Sequence, residues 1–157
     1  MNDIKITDAK SITTPIKYKK LTDIAQEPIR GSAAAAGYDL YAATNDAITI
    51  PAHETVKVGT GIAIELPYGT FGAIFARSGL ATKQGLRPAN CVGVVDSDYR
   101  GEVIVALHND TNEEKVIESR ERIAQLVVMP FIPVRFEEVK ELSNTDRNEG
   151  GFGSTGK

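Results

Sequence analysis

The chain has no tryptophan, one cysteine, two methionines and two histidines in 157 residues. A single Cys (Cys91) excludes an intramolecular disulfide and points to a reducing, cytoplasmic setting. One Cys with two widely spaced His (His53 and His108) also argues against a zinc site of Cys/His type. No apolar run approaches the ~18 residues a spanning helix needs, so no membrane role is expected. The opening stretch MNDIKITDAK has no apolar core segment, and no secretory signal is read there. Excess positive charge is missing too. A net charge of −3 and a pI of about 5.4 argue against nucleic acid as a partner, because such binding draws on Lys and Arg against phosphates. Leucine is scarce as well: 8 residues, against 27 Val plus Ile and 13 Thr.

What is present therefore favours strands. Branched Cβ atoms suit a pleated surface and lose rotamer freedom in a helix. The length suits one domain with a real core. Short apolar or alternating runs recur every 8–12 residues with turn residues between them. The candidate strands are 16–21, 38–43, 47–50, 55–58, 61–66, 71–76, 92–95, 101–108, 115–117, 122–129 and 134–139. Pro51, Pro67 and Pro130 sit at run ends, where a missing N–H costs least. The segment 27–32 reads as a loop. One short helix is expected from Ser78 to about Gln84, with Ser78 as its N-cap and Gly85 as its stop. The pattern implies an all-β sandwich, jelly roll or barrel.

The C-terminal stretch differs. Residues 139–157 hold only three large apolar side chains (Val139, Leu142 and Phe152), and four of the 14 glycines fall in the last eight positions. Such a segment cannot bury enough to fold alone. The organisation expected is one β domain over residues 1–138 and a Gly-rich arm over 139–157. The arm carries Arg147, Phe152, Ser154 and Thr155, which suit a base and phosphates, so it reads as a segment that orders over ligand.

Three internal segments carry candidate chemistry. In Ala76-Arg77-Ser78-Gly79-Leu80-Ala81 a strand runs into a capped helical turn. Unpaired N–H groups there, with the Arg77 guanidinium beside them, make an anion site, and Gly79 lets a ligand approach the backbone. An ordinary cap is an equal reading of that segment alone. Gly93 to Glu102 reads as a hairpin-like turn between two apolar strands, with Asp96 directly after the first. Asp96 and Asp98 would share a face if the strand continued, and a carboxylate held near water can act as general base toward phosphorus. The bland alternative is a solvated turn. Gln125 interrupts the apolar strand 122–128 and needs hydrogen-bond partners if it points inward. No Walker-type loop, nucleophile elbow or zincin motif is present.

Taken in order, these segments resemble the five motifs of the trimeric dUTP pyrophosphatases (dUTPases). The first is Ala36-Gly37-Tyr38-Asp39-Leu40-Tyr41-Ala42, and the second is Ala76 to Ala81. The third is Gly93 to Glu102 with Asn90 upstream, the fourth Arg122 to Leu126, and the fifth Arg147 to Gly156. Ala76 stands where that family usually has Pro, and Asn148 where it usually has Gly. The resemblance implies a jelly-roll-like β-barrel in a homotrimer, with active sites at subunit interfaces closed by the C-terminal arm. It implies hydrolysis of dUTP to dUMP and pyrophosphate, with Mg²⁺ on the triphosphate and no direct protein ligand to the metal. Asp96 would activate the water. Asn90 would read the uracil edge, Tyr99 would pack on the deoxyribose and Phe152 would stack on the base. Ser78, Gly79, Gln125, Arg147, Ser154 and Thr155, supported by Arg77, would hold phosphates. Asp39 would orient an Arg or metal-bound water from behind. The alternatives are a dCTP deaminase-type enzyme on the same fold, in which Glu102 would be the candidate acid/base, and a nucleotide-sensing regulator.

Overall fold

The computed structural model describes residues 14–151, and Phe152, Ser154 and Thr155 lie outside this range. Its strands are β1 (Lys17–Lys20), β2 (Ile29–Arg30), β3 (Tyr38–Tyr41), β4 (Ile48–Ile50), β5 (Thr55–Gly59) and β6 (Ile62–Glu65). They continue with β7 (Thr70–Phe75), β8 (Leu86–Pro88), β9 (Gly93–Val95), β10 (Ile104–Asn109), β11 (Lys115–Ile117) and β12 (Arg122–Pro130). The all-β reading holds. Every pairing is antiparallel, and the pairings nest: β3 with β12, β4 with β11, β5 with β10. A long ribbon folded back on itself and rolled up gives this nesting, which is the jelly-roll arrangement. The largest sheet has the order β2-β3-β12-β7-β9, and a three-stranded sheet has the order β5-β10-β8.

Alternation selects the core. Along β10, Val105, Leu107 and Asn109 are buried while Ile104 is exposed. Leu40, Ile50, Val58, Ile62, Leu86, Ile117 and Ile123 close the same cluster from the other strands. Asn109 is a polar member of this core and was not evident from its sequence context. Its amide donates to the carbonyls of Ile50 (3.0 Å) and Glu113 (2.7 Å), and its Oδ1 accepts from the N–H and hydroxyl of Thr111. A fully bonded buried amide fixes the β10–β11 turn against the end of β4.

Four local expectations need correction. Residues 134–139 form no strand; regular structure ends at Pro130, and residues 131–149 are exposed. The segment 27–32 contains β2, a two-residue strand paired with Asp39 and Tyr38, too short to carry a pattern. The Gly93–His108 region is not a hairpin: β9 pairs with β7 and β10 with β5 and β8, so the turn carries the chain from one sheet to another. The helical turn is wound as a π-type turn over Leu80–Gln84, and Ser78 is not its side-chain cap; the position before it is Gly79. Instead the Ser78 carbonyl accepts from the Thr82 hydroxyl at 2.6 Å. Gly85 does stop the turn, in the left-handed region at φ 67°.

Candidate active site

Asp39 on β3, Gln125 on β12 and Phe75 on β7 sit side by side across three paired strands. β7 ends there, so Ala76, Arg77 and Ser78 leave the sheet at this level. The Asp39 carboxylate accepts from Arg77 Nε at 2.8 Å with one oxygen and from Arg122 Nη1 at 3.1 Å with the other. A half-buried anion between two guanidiniums aims both while offsetting part of their charge. Arg122 opens the fourth motif, but one cation on an apolar strand carries no signal of which carboxylate it meets. Tyr41, on the same face of β3, feels this cluster. Burial, and then the Asp39 charge, push its phenol above the usual range, against the pull of Arg122 and Arg77.

Gln125 is part-buried on the face opposite core residues Ala124 and Leu126, and it is satisfied: its Nε2 donates to the Ala76 carbonyl at 2.9 Å, tying β12 to the Arg77–Ser78 turn. It passes over Gly37, where a Cβ would collide with the Gln125 carboxamide, its Cδ lying 3.2 Å away. Gly79 differs. Its φ is −63°, and a Cβ there would meet nothing within 4 Å. Neither backbone nor packing demands glycine at 79, which leaves the space in front of it open to a ligand.

Asp96, Asn90 and Tyr99 are placed differently. β9 runs antiparallel to β7, with Val95 opposite Gly72 and Gly93 opposite Ile74. Asp96 therefore leaves the sheet near the start of β7, while Arg77 leaves beyond its end. Gly72 to Phe75 alone separates the two levels by about 10 Å. Asp96 and Asp98 lie in the turn rather than on a strand, so their alternation does not apply, and both are exposed. Among the described residues no side chain or backbone N–H bonds the Asp96 carboxylate. Tyr99 folds back over its own turn and donates its hydroxyl to the Glu102 carbonyl at 3.0 Å. A shallow cleft of about 200 Å³ beside Asp96 and Tyr99 is also lined by Val94, Glu102 and Ile104. Glu102 lies two residues ahead of β10, and its carboxylate accepts the Gly61 N–H at 2.8 Å. Exposed Asn90 has its amide nitrogen 3.5 Å from where a Gly93 Cβ would stand.

One chain thus gathers Asp39, Arg77, Arg122 and Gln125 at one end of its main sheet and Asp96 with Tyr99 at the other. In the arm, Arg147 Nε donates to the Gly150 carbonyl at 2.7 Å, and the bonds of this stretch are local. Asn148 has φ 41°. Asn tolerates that left-handed region better than most residues. The Phe152, Ser154 and Thr155 assignments fall outside the described residues.

The comparisons with known proteins fit this arrangement. The dUTPase family model matches residues 22–156. A deoxyuridine 5'-triphosphate nucleotidohydrolase of Hydrogenobaculum sp. strain Y04AAS1 is 49% identical over 138 residues, covering 88% of this chain and 95% of the relative. One from Candida albicans is 51% identical over 132 residues, covering 83% of this chain and 80% of the relative. Among solved structures, the Staphylococcus bacteriophage 80alpha dUTPase with dUpNHpp superposes with a TM-score of 0.83 at 27% identity, covering 92% of this chain and 99% of that one. With motif order, nested sheet topology and these relatives in agreement, the chain belongs to the dUTPase family.

Proposed function

We propose that the protein hydrolyses dUTP to dUMP and pyrophosphate at sites shared between subunits of a homotrimer. The observation that carries this is the division of the site: anchors at one end of the sheet, and the exposed carboxylate with its aromatic neighbour at the other. A self-associating chain can bring the Asp96 end of one copy to the Arg77 end of the next. Ile132, Val134 and Phe136 are exposed apolar side chains beyond the last strand, and this apolar surface supports association. The Gly-rich arm beyond it would close the site, with Phe152 on the uracil and Arg147, Ser154 and Thr155 on phosphates.

The residues divide the work. Arg77, held by Asp39, with Ser78, Gly79 and Gln125, receives the triphosphate. Asn90 reads the uracil edge and Tyr99 packs on the sugar where a 2′-hydroxyl would stand. Asp96 takes a proton from the attacking water as its oxygen bonds to the α-phosphorus, and the bond to the β-phosphate oxygen breaks to release pyrophosphate. Among the described residues no group of three His, Cys, Asp or Glu could hold a metal, and Asp39 is engaged by two arginines. This donor set suits a Mg²⁺ carried on the substrate phosphates, where a hard cation keeps oxygens and waters and neutralises charge. The engagement of Glu102 with Gly61 disfavours the deaminase reading.

The test is to incubate the protein and Mg²⁺ with dUTP, dCTP, dTTP and UTP in turn and measure pyrophosphate and ammonia. Pyrophosphate from dUTP alone is the expected result. Ammonia from dCTP would move the protein to the deaminase reading. Silence from all four would turn it toward a nucleotide sensor.

A further inference from the structure

Gly101 stands against the ring that the proposed function places on the sugar. Its φ is not in the left-handed region, so the backbone does not call for glycine there. The space does. A Cβ on Gly101 would lie 2.6 Å from Tyr99 Cζ and 3.0 Å from Cε2, and would collide with the hydroxyl. These are ring atoms, so the aromatic plane must move as one body to admit a methyl group. The rest of the turn resists that movement. The Tyr99 N–H donates to the Asp96 carbonyl at 3.2 Å, and Arg100 Nη1 donates to the carbonyls of Ser97 (2.7 Å) and Tyr99 (2.9 Å). The Tyr99 hydroxyl is tethered to Glu102, whose carboxylate is anchored on Gly61.

We propose that Gly101, with the Tyr99–Glu102 tether, is a specificity-determining position: its missing side chain seats the Tyr99 ring at the depth that excludes a ribose 2′-hydroxyl. The inference rests on the reading that Tyr99 meets the deoxyribose. Added bulk at 101 lifts the ring, so discrimination between dUTP and UTP falls even though the methyl never touches substrate. A purely structural role for Gly101 would lower stability or turnover for both nucleotides alike and leave their ratio unchanged.

The experiment compares kcat/KM for dUTP and for UTP in the wild type, Gly101→Ala, Tyr99→Phe and Tyr99→Ala, with circular dichroism and Tm to check folding. The wild type should prefer dUTP strongly. Gly101→Ala should lose at least tenfold of that preference, approaching Tyr99→Ala, while Tyr99→Phe, which cuts only the tether, should lose severalfold. A folded Gly101→Ala with the wild-type ratio overturns the proposal. Should that variant fail to fold, an unchanged ratio in Tyr99→Phe overturns it instead. A wild type that uses UTP as well as dUTP would refute the sugar role of Tyr99 itself, and the inference with it.

Discussion

Asp96 is defined by what surrounds it: an exposed carboxylate just after buried Val95, with no cation partner among the described residues. Asp39 is the reverse case, its charge shared by Arg77 and Arg122. The two aspartates are therefore not interchangeable, and only Asp96 is free to take a proton from water. Asp96→Asn keeps the shape and removes the proposed base. Turnover of dUTP should fall by about 10²–10⁴-fold or more, with nucleotide affinity retained, as single-turnover rates and calorimetric binding would report. A pH dependence belongs to Asp110. The Arg87 guanidinium, bonded through Nε at 2.7 Å and Nη2 at 3.0 Å, holds its carboxyl below the usual range. The folded state then binds this proton less readily than the unfolded state. The stabilisation is complete above the ordinary carboxylate value of 3.8 and is lost as pH falls through the lowered value. Asp110→Asn should lower Tm at neutral pH slightly and flatten its fall in acid, measured by a Tm series from about pH 6 to 2.

At the scale of elements, turns set the register of the sheets. The β5–β6 turn carries Gly61 at φ 65°, where a Cβ would lie 2.7 Å from Thr22 Oγ1 and 2.8 Å from both Ala25 Cβ and Ala43 Cβ. Beside it the buried Thr60 hydroxyl donates to the Val103 carbonyl at 2.6 Å. Gly61→Ala adds backbone strain to overpacking and should cost about 2–5 kcal/mol in urea unfolding, because no neighbour there can yield. Pairing partners explain why some elements were legible and others were not. β12 announces itself through a run of Val, Ile and Leu broken once by Gln125. β8 (Leu86–Pro88) and β2 (Ile29–Arg30) do not, since two or three residues form a strand only when a neighbour such as β10 or β3 supplies the hydrogen bonds. Residues 134–139 show the converse: their pattern suits a strand, yet they pair with no strand among the described residues.

At the scale of the whole molecule, the proposed sharing of sites between subunits would make activity a property of the assembly, and mixing variants tests it. Asp96→Asn subunits keep the phosphate end intact, and Arg77→Ala subunits keep the Asp96 end. Refolding the two inactive variants together at 1:1 should restore activity, since about one shared site in four then combines both intact halves. Activity no higher than either parent would mean that each site lies within one chain. Truncation after Asp146 should leave an assembled, folded protein with little turnover, read by light scattering and pyrophosphate release. Collapse of the assembly would assign the arm a structural role instead.

The sequence by itself determined the class of fold and the family. The excess of β-branched residues over leucine dictates strands, and five short motifs in order carry the resemblance, because both signals are local. It also marked Asp39, Arg77, Gln125 and Asp96 as chemically notable. Only the tertiary structure decided which of these meet. Pairing β3 with β12 and β12 with β7 puts Asp39, Gln125 and the end of β7 in one row, although they lie 36 to 86 positions apart. Antiparallel pairing of β9 with β7 sends Asp96 the other way. Strand partners and direction are fixed by burial summed over the whole core, a quantity no short segment contains.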